Sequence, residues 1–153
     1  MEITSFLTET ILWGEQNRSV LGILLVGSHA RNAARSDSDV DLVILSNEKD
    51  NLISNHAWIE TFGISEKILV ENFGALTSIR VFYKNDLEIE FGIVSPDWAS
   101  LNPLDPGTKR VIVDGSRIIL DKKNLLKPLL HSIKINLYPY ADERLRITKV
   151  VNK

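Results

Sequence analysis

The sequence predicts a single α+β domain, a mixed β-sheet flanked by helices. Three observations predict it. Short apolar runs alternate with amphipathic segments in the order helix–strand–helix–strand–helix, followed by two neighbouring strands. The 153-residue length suits one domain, 1–153, that can bury a sizeable core. Hydrophobic content of 44% with 25% charged residues belongs to a folded globular chain rather than a disordered one.

Each element follows from its own stretch. Residues 1–17 space Ile3, Phe6, Leu7, Thr10, Ile11 and Trp13 along one helical face, with Glu2, Glu9 and Glu15 elsewhere, and the helix should end around Gly14. Val20 to Val26 is a continuous apolar run between turn signals, as in a strand buried on both faces. Gly27-Ser28 interrupts it, and H-A-R-N-A-A-R then allows no more than two helical turns. In S-D-S-D-V-D-L-V-I-L an acidic start runs into apolar Leu42 to Leu45, a second strand. Residues 51–62 read as one helix, whereas Ser65 to Asn72 fits no single period.

Thr77 to Tyr83 and Leu87 to Val94 read as strands joined tightly through Lys84-Asn85-Asp86. In the second, the alternation L-E-I-E-F puts Leu87, Ile89 and Phe91 on one face and Glu88 and Glu90 on the other. Pro96 to Gly107 holds three of the five prolines and reads as a loop. Asp114-Gly115 fits either a hairpin turn or the cap of a short helix beginning near Thr108. Leu125 to Ile135 predicts a last helix with Pro128 in its first turn, within a C-terminal helix and tail over 121–153.

Composition excludes several functions. With no cysteine, a disulfide scaffold, a thiolate zinc site and a cysteine nucleophile are out. Lys+Arg 18 against Asp+Glu 20 leaves a net charge of −2, without the basic excess of a dedicated polynucleotide binder. Three glutamates precede the first basic residue, Arg18, so no export signal is expected, and no apolar run approaches a membrane span. A cytoplasmic location is the expectation. No Walker A, G-x-G-x-x-G or H-E-x-x-H sequence occurs, and His29, His56 and His131 lack metal-ligand spacing.

One stretch, residues 27–45, concentrates chemistry. Gly27 lets the backbone turn tightly and approach a ligand, the free N–H groups of the following turn favour an anion, and Ser28 adds a hydroxyl suited to a phosphate oxygen. Asp39 and Asp41 lie two apart, so on one strand their carboxylates share a face. Alone, that pair would read as a solvated strand end. Behind Gly27-Ser28 at this spacing it reads as a site, because like charges held together call for a cation, and an oxygen-only donor set favours Mg²⁺ or Mn²⁺. A third carboxylate from another strand would complete a two-metal arrangement, and Glu88 and Glu90 in strand 87–94 are the candidates. Arg31 and Arg35 are within reach of phosphates, though arginines on a helix surface need no such role. Asp37 suits a turn, and Trp98, after a strand end, is placed to line a pocket.

Gly27-Ser28, ten residues, then Asp39-Val40-Asp41 resembles the G-S-x(10)-D-x-D motif of the DNA polymerase β-type nucleotidyltransferases. G-S-x-A-R followed by D-S-D-x-D-L is similar to the antibiotic and minimal nucleotidyltransferases within that superfamily, and the likeness runs loosely over residues 20–125. Asn32 stands where many relatives have glycine, and asparagine tolerates a left-handed backbone. The resemblance implies a nucleotidyltransferase-like mixed sheet and two Mg²⁺ ions, with Mn²⁺ as a substitute. It implies transfer of a nucleoside monophosphate from a nucleoside triphosphate such as ATP to an acceptor, with release of pyrophosphate. By position, Gly27, Ser28 and Arg31 would hold the nucleotide, Ser28 taking the terminal phosphates, and Asp39 and Asp41 would hold metal. Glu90, deeper in its strand than Glu88 and flanked by Ile89 and Phe91, is favoured as third ligand or base.

Two functions compete. One is an enzyme modifying a hydroxyl of a small molecule, such as an aminoglycoside- or lincosamide-like compound. The other is a minimal nucleotidyltransferase antitoxin that modifies or masks a HEPN-type RNase toxin. Short length favours the partner role, while near-neutral charge and the long segment after the strands favour the free-standing enzyme. An inactive domain keeping only the motif's shape is disfavoured by the intact acids. The expected partners are therefore a nucleoside triphosphate, an acceptor, and a protein partner or a second copy in a homodimer, with no membrane and no polynucleotide.

Overall fold

The computed structural model describes residues 2–35 and 38–137. Helix α1 (Ile3–Gln16) buries Phe6, Thr10 and Gly14, the last so closely that a side chain there would collide with Leu120 and Ile23. Strand β1 (Val20–Val26) leads through α2 (Gly27–Ala30), a single turn, to β2 (Val40–Ser46). Both strands are buried along almost their whole length, as their unbroken apolar runs require.

The single helix expected over 51–62 is instead α3 (Lys49–Ser54) followed by a 3-10 helix, His56–Phe62. Asn55 divides them. Its backbone is extended and its side chain accepts a hydrogen bond from the Ala57 N–H, starting a new turn. Trp58 follows, its indole donating to the Leu52 carbonyl at 2.9 Å. The segment without a clear period is β3 (Ser65–Asn72), then come β4 (Leu76–Tyr83) and β5 (Glu88–Val94), the latter two a hairpin turning through Asp86 at φ 67°. The loop expected over 96–107 contains a 3-10 helix, Pro96–Ala99, and its end opens α4 (Pro106–Val113). Asp105 caps α4 by accepting from the Thr108 N–H, Pro106 occupies the first turn, and Gly115 closes it at φ 128°. The helical option for residues 109–115 therefore holds rather than the hairpin. Strand β6 (Ser116–Asp121) and α5 (Leu126–Leu137) follow.

The six strands of the described residues form one mixed sheet in the order β3-β4-β5-β2-β1-β6. Only β2 and β5 run parallel, and every other neighbouring pair is antiparallel. A layer of α1, α3 and the first 3-10 helix covers one face, where Phe6, Phe62 and Phe91 meet edge and face and Trp13 stacks on Trp58 at 5.2 Å. The other face packs Leu24, Val43, Leu45 and Val94 against Trp98, Ile112 and the Leu126, Leu129, Leu130 and Ile133 stripe of α5. No helix of the described residues is long and apolar enough to cross a membrane.

Asp121 fastens α5 to the sheet. Its carboxylate accepts from the Leu125, Leu126 and Lys127 N–H groups at 2.9–3.2 Å, satisfying the free donors of the first turn. Asp121→Ala should lower folding stability by about 1–2 kcal/mol in urea titrations, the usual worth of a helix cap. A change within error would mean that α5 is held by its apolar stripe alone.

Candidate active site

Strand register builds the site. Val26 lies opposite Asp41 in the β1–β2 pair, and Asp41 lies beside Glu90 in the parallel β2–β5 pair. Asp39, expected within the strand, stands one residue before β2 begins. The strand start nevertheless brings both aspartates to the edge that Glu90 reaches from β5. One carboxylate oxygen from each of Asp39, Asp41 and Glu90 lies within 4.8 Å of the others, and all three residues are half-buried. Glu88, two residues up the same face and paired with Phe82, is outside this group.

Gly27 makes the close approach feasible. Its φ of 72° belongs to the left-handed region, and a Cβ there would overlap the Asp41 Oδ2. The turn it opens is tied to the end of α4 and to β6, which pairs with β1. Arg31 donates to the Asp114 carbonyl at 2.9 Å and lies over Gly115, while Arg117 donates to the His29 carbonyl at 2.7 Å. Asn32 takes φ 58°, the left-handed conformation its side chain tolerates.

Electrostatics at the cluster is strained. The Asp41 carboxyl is pushed up to about 7, first by burial, then by the charges of Asp39 and Glu90 and by a hydrogen bond shared with Asp39. Arg80 opposes this. Its guanidinium donates to Glu90 at 2.6 Å and stands 4.0 Å from Asp39. The Asp41 Oδ1 atom is buried with no hydrogen-bond partner among the described residues. A buried carboxylate oxygen without a donor, beside two further carboxylates, fits a hard divalent cation such as Mg²⁺ or Mn²⁺.

The acids border a cavity of about 600 Å³, within the range of small-ligand sites. Gly27, Arg31, Asp39, Asp41, Arg80 and Glu90 line its sheet side, and Trp98, Arg110 and Asp114 line the wall formed by the second 3-10 helix and α4. Ser28 is half-buried next to Gly27 but outside this lining. Arg35 is exposed, and its backbone closes a turn with Ser38: its N–H donates to the Ser38 hydroxyl and its carbonyl accepts from the Ser38 N–H. Asp37 lies outside the described residues. Arg80 and Arg110 were not expected at a site. Arg80 could have been found as the one charge in the otherwise uncharged run of β4, whereas Arg110 carries no local signal.

The family model for the nucleotidyltransferase domain matches residues 12–142, a span that contains the acid cluster, the Gly27 turn and the whole sheet. The chain belongs to the nucleotidyltransferase domain family. Among curated proteins no sequence matches it. Similar solved structures include an aminoglycoside 6-adenyltransferase from Bacillus subtilis, 12% identical with a TM-score of 0.49, aligned over 64% of this chain and 35% of that one. Another is a toxin–antitoxin protein solved with AMP-PNP, 13% identical with a TM-score of 0.44, aligned over 96% and 98%. The nucleotidyltransferase chain thus spans about a third of the adenyltransferase's length.

Proposed function

We propose that this nucleotidyltransferase moves a nucleoside monophosphate from a nucleoside triphosphate, ATP first among them, to a hydroxyl of a small-molecule acceptor and releases pyrophosphate. The observation that carries the reading is the convergence of Asp39, Asp41 and Glu90, from the start of β2 and from its parallel neighbour β5, at the border of a nucleotide-sized cavity beside Gly27. The three carboxylates would hold Mg²⁺, which supplies charge neutralisation for the triphosphate and acidifies the acceptor hydroxyl. Gly27 leaves room for the phosphates to approach the backbone, Ser28 offers its hydroxyl to the terminal ones, and Arg31 balances their charge. The acceptor oxygen forms the new bond to the α-phosphorus as the α–β bridge breaks, and Glu90 receives the hydroxyl proton. A triphosphate donor supports a cytoplasmic setting for this work.

Pyrophosphate release from labelled ATP across a panel of hydroxylated acceptors tests the reading. Release should need Mg²⁺ or Mn²⁺ and stop on chelation with EDTA. Label transferred only to a protein would overturn the small-molecule acceptor in favour of the protein-modifying alternative. Turnover that survives chelation would overturn the metal site.

A further inference from the structure

Among the described residues, β3 is the outermost strand of the sheet and pairs only with β4. An edge of this kind presents a row of backbone N–H and C=O groups to solvent, and folded proteins ordinarily keep such edges short or strongly charged. This one is eight residues long and apolar at its centre. Of the large hydrophobic side chains exposed among the described residues, Leu69, Val70, and the flanking Ile64 and Phe73 cluster here, at 46%, 50%, 63% and 62% exposure. The rest, Leu12, Leu101 and Val113, are scattered.

The β3–β4 register assigns faces. Lys67, Leu69 and Glu71 lie opposite Phe82, Arg80 and Ser78, on the sheet face that carries Glu90. Ile68 and Val70 lie opposite Val81 and Ile79, on the face with the aromatic core. A bulge between Ser65 and Lys67 interrupts regular pairing, so the straight part of the edge begins at Lys67.

We propose that β3 pairs antiparallel with β3 of a second copy of this chain, about a two-fold axis through Leu69. Charge selects both the partner and the register. Centred on Leu69, the pairing sets Lys67 of each copy directly opposite Glu71 of the other, Ile68 opposite Val70, and Leu69 against itself. It uses Lys67 to Glu71 on both strands, beyond the bulge. Centring on Ile68 sets Lys67 against Leu69, and centring on Val70 sets Glu71 against Leu69, so each places a charge on an apolar side chain. The Leu69 register alone matches opposite charges across the axis, and it is self-complementary, as a two-fold contact must be. The two sheets then become one, with both acid clusters on the same face.

The proposal goes beyond the transfer reaction and is independent of it. Sedimentation velocity across micromolar to submillimolar concentrations should show a monomer–dimer equilibrium for the wild-type chain. Lys67→Glu places like charges at both symmetric contacts and should weaken dimerisation at least about tenfold. Adding Glu71→Lys to it exchanges the pair and should restore the dimer to within about threefold of wild type. Leu69→Arg, which sets two guanidinium groups on the axis, should give a monomer with an unchanged circular-dichroism spectrum. A wild-type chain that is monomeric throughout overturns the proposal and leaves the edge to a partner of different sequence. A dimer indifferent to Lys67→Glu and Leu69→Arg overturns it by placing the contact elsewhere. A single variant that weakens without rescue by the exchange overturns the register.

Discussion

Glu90→Gln should lower the single-turnover rate at least about a hundredfold, the scale on which a positioned base is lost, while triphosphate affinity stays within about threefold. Glutamine keeps the size of the side chain, so the β5 backbone and the apolar Ile89 and Phe91 on the opposite face have no reason to move. What changes is the ability to take a proton and to hold a cation tightly. Glu88→Gln, two residues away on the same face and outside the cluster, should cost less than about threefold by the same comparison. Rapid-quench measurements of both variants decide the matter. If Glu88→Gln proves the slower enzyme, the third acid has been misassigned, and if neither slows, the proposed cluster does not carry the chemistry.

Asp41→Asn should abolish measurable turnover and yet raise the melting temperature of the metal-free protein above neutral pH. The sign follows from linkage. The Asp41 carboxyl lies near 7 in the fold against an ordinary value of 3.8, so between those pH values the folded chain binds more protons than the unfolded one. Stability without metal therefore falls as pH rises through that window, and above it the fold carries the full cost of a charged Asp41. With the group only partly buried, that cost is about 2 kcal/mol after allowance for solvent screening. Asparagine removes it and can still donate to Asp39. Mg²⁺ should stabilise wild type most above pH 7 and Asp41→Asn little, as thermal melts with and without the ion will show. A variant that melts lower than wild type at pH 8 in EDTA would contradict the strain assigned to Asp41.

What the sequence made legible follows the reach of its local signals. β1 and β2 announce themselves because burial on both faces demands unbroken apolar runs, and Gly27-Ser28 with Asp39 and Asp41 is a matter of spacing alone. The alternation around Ile89 shows that Glu88 and Glu90 share a face, but not which of them Asp41 meets. That depends on the pairing of Asp41 with Glu90 across nearly fifty residues of chain. The β3 edge was obscure for the opposite reason, since a strand exposed on both faces is under no pressure to alternate. The break at Asn55 rests on a single side-chain hydrogen bond, too small a signal to outweigh a helical pattern on either side. Arg110 and Trp98 join the cavity only because α4 and the second 3-10 helix fold back over the sheet, a placement invisible in their own neighbourhoods.

The one parallel pairing in the sheet has a kinetic meaning. β2 meets β5 only after α3, the first 3-10 helix and β3 and β4 have intervened. Hairpins such as β4–β5 close short loops and form early, whereas joining β2 to β5 closes a long one and forms late. The acidic cluster spans that late seam. During synthesis and refolding, the chain can therefore carry much of its secondary structure before its three carboxylates meet, and the mutual repulsion of those groups is deferred until the rest of the sheet is in place to bear it.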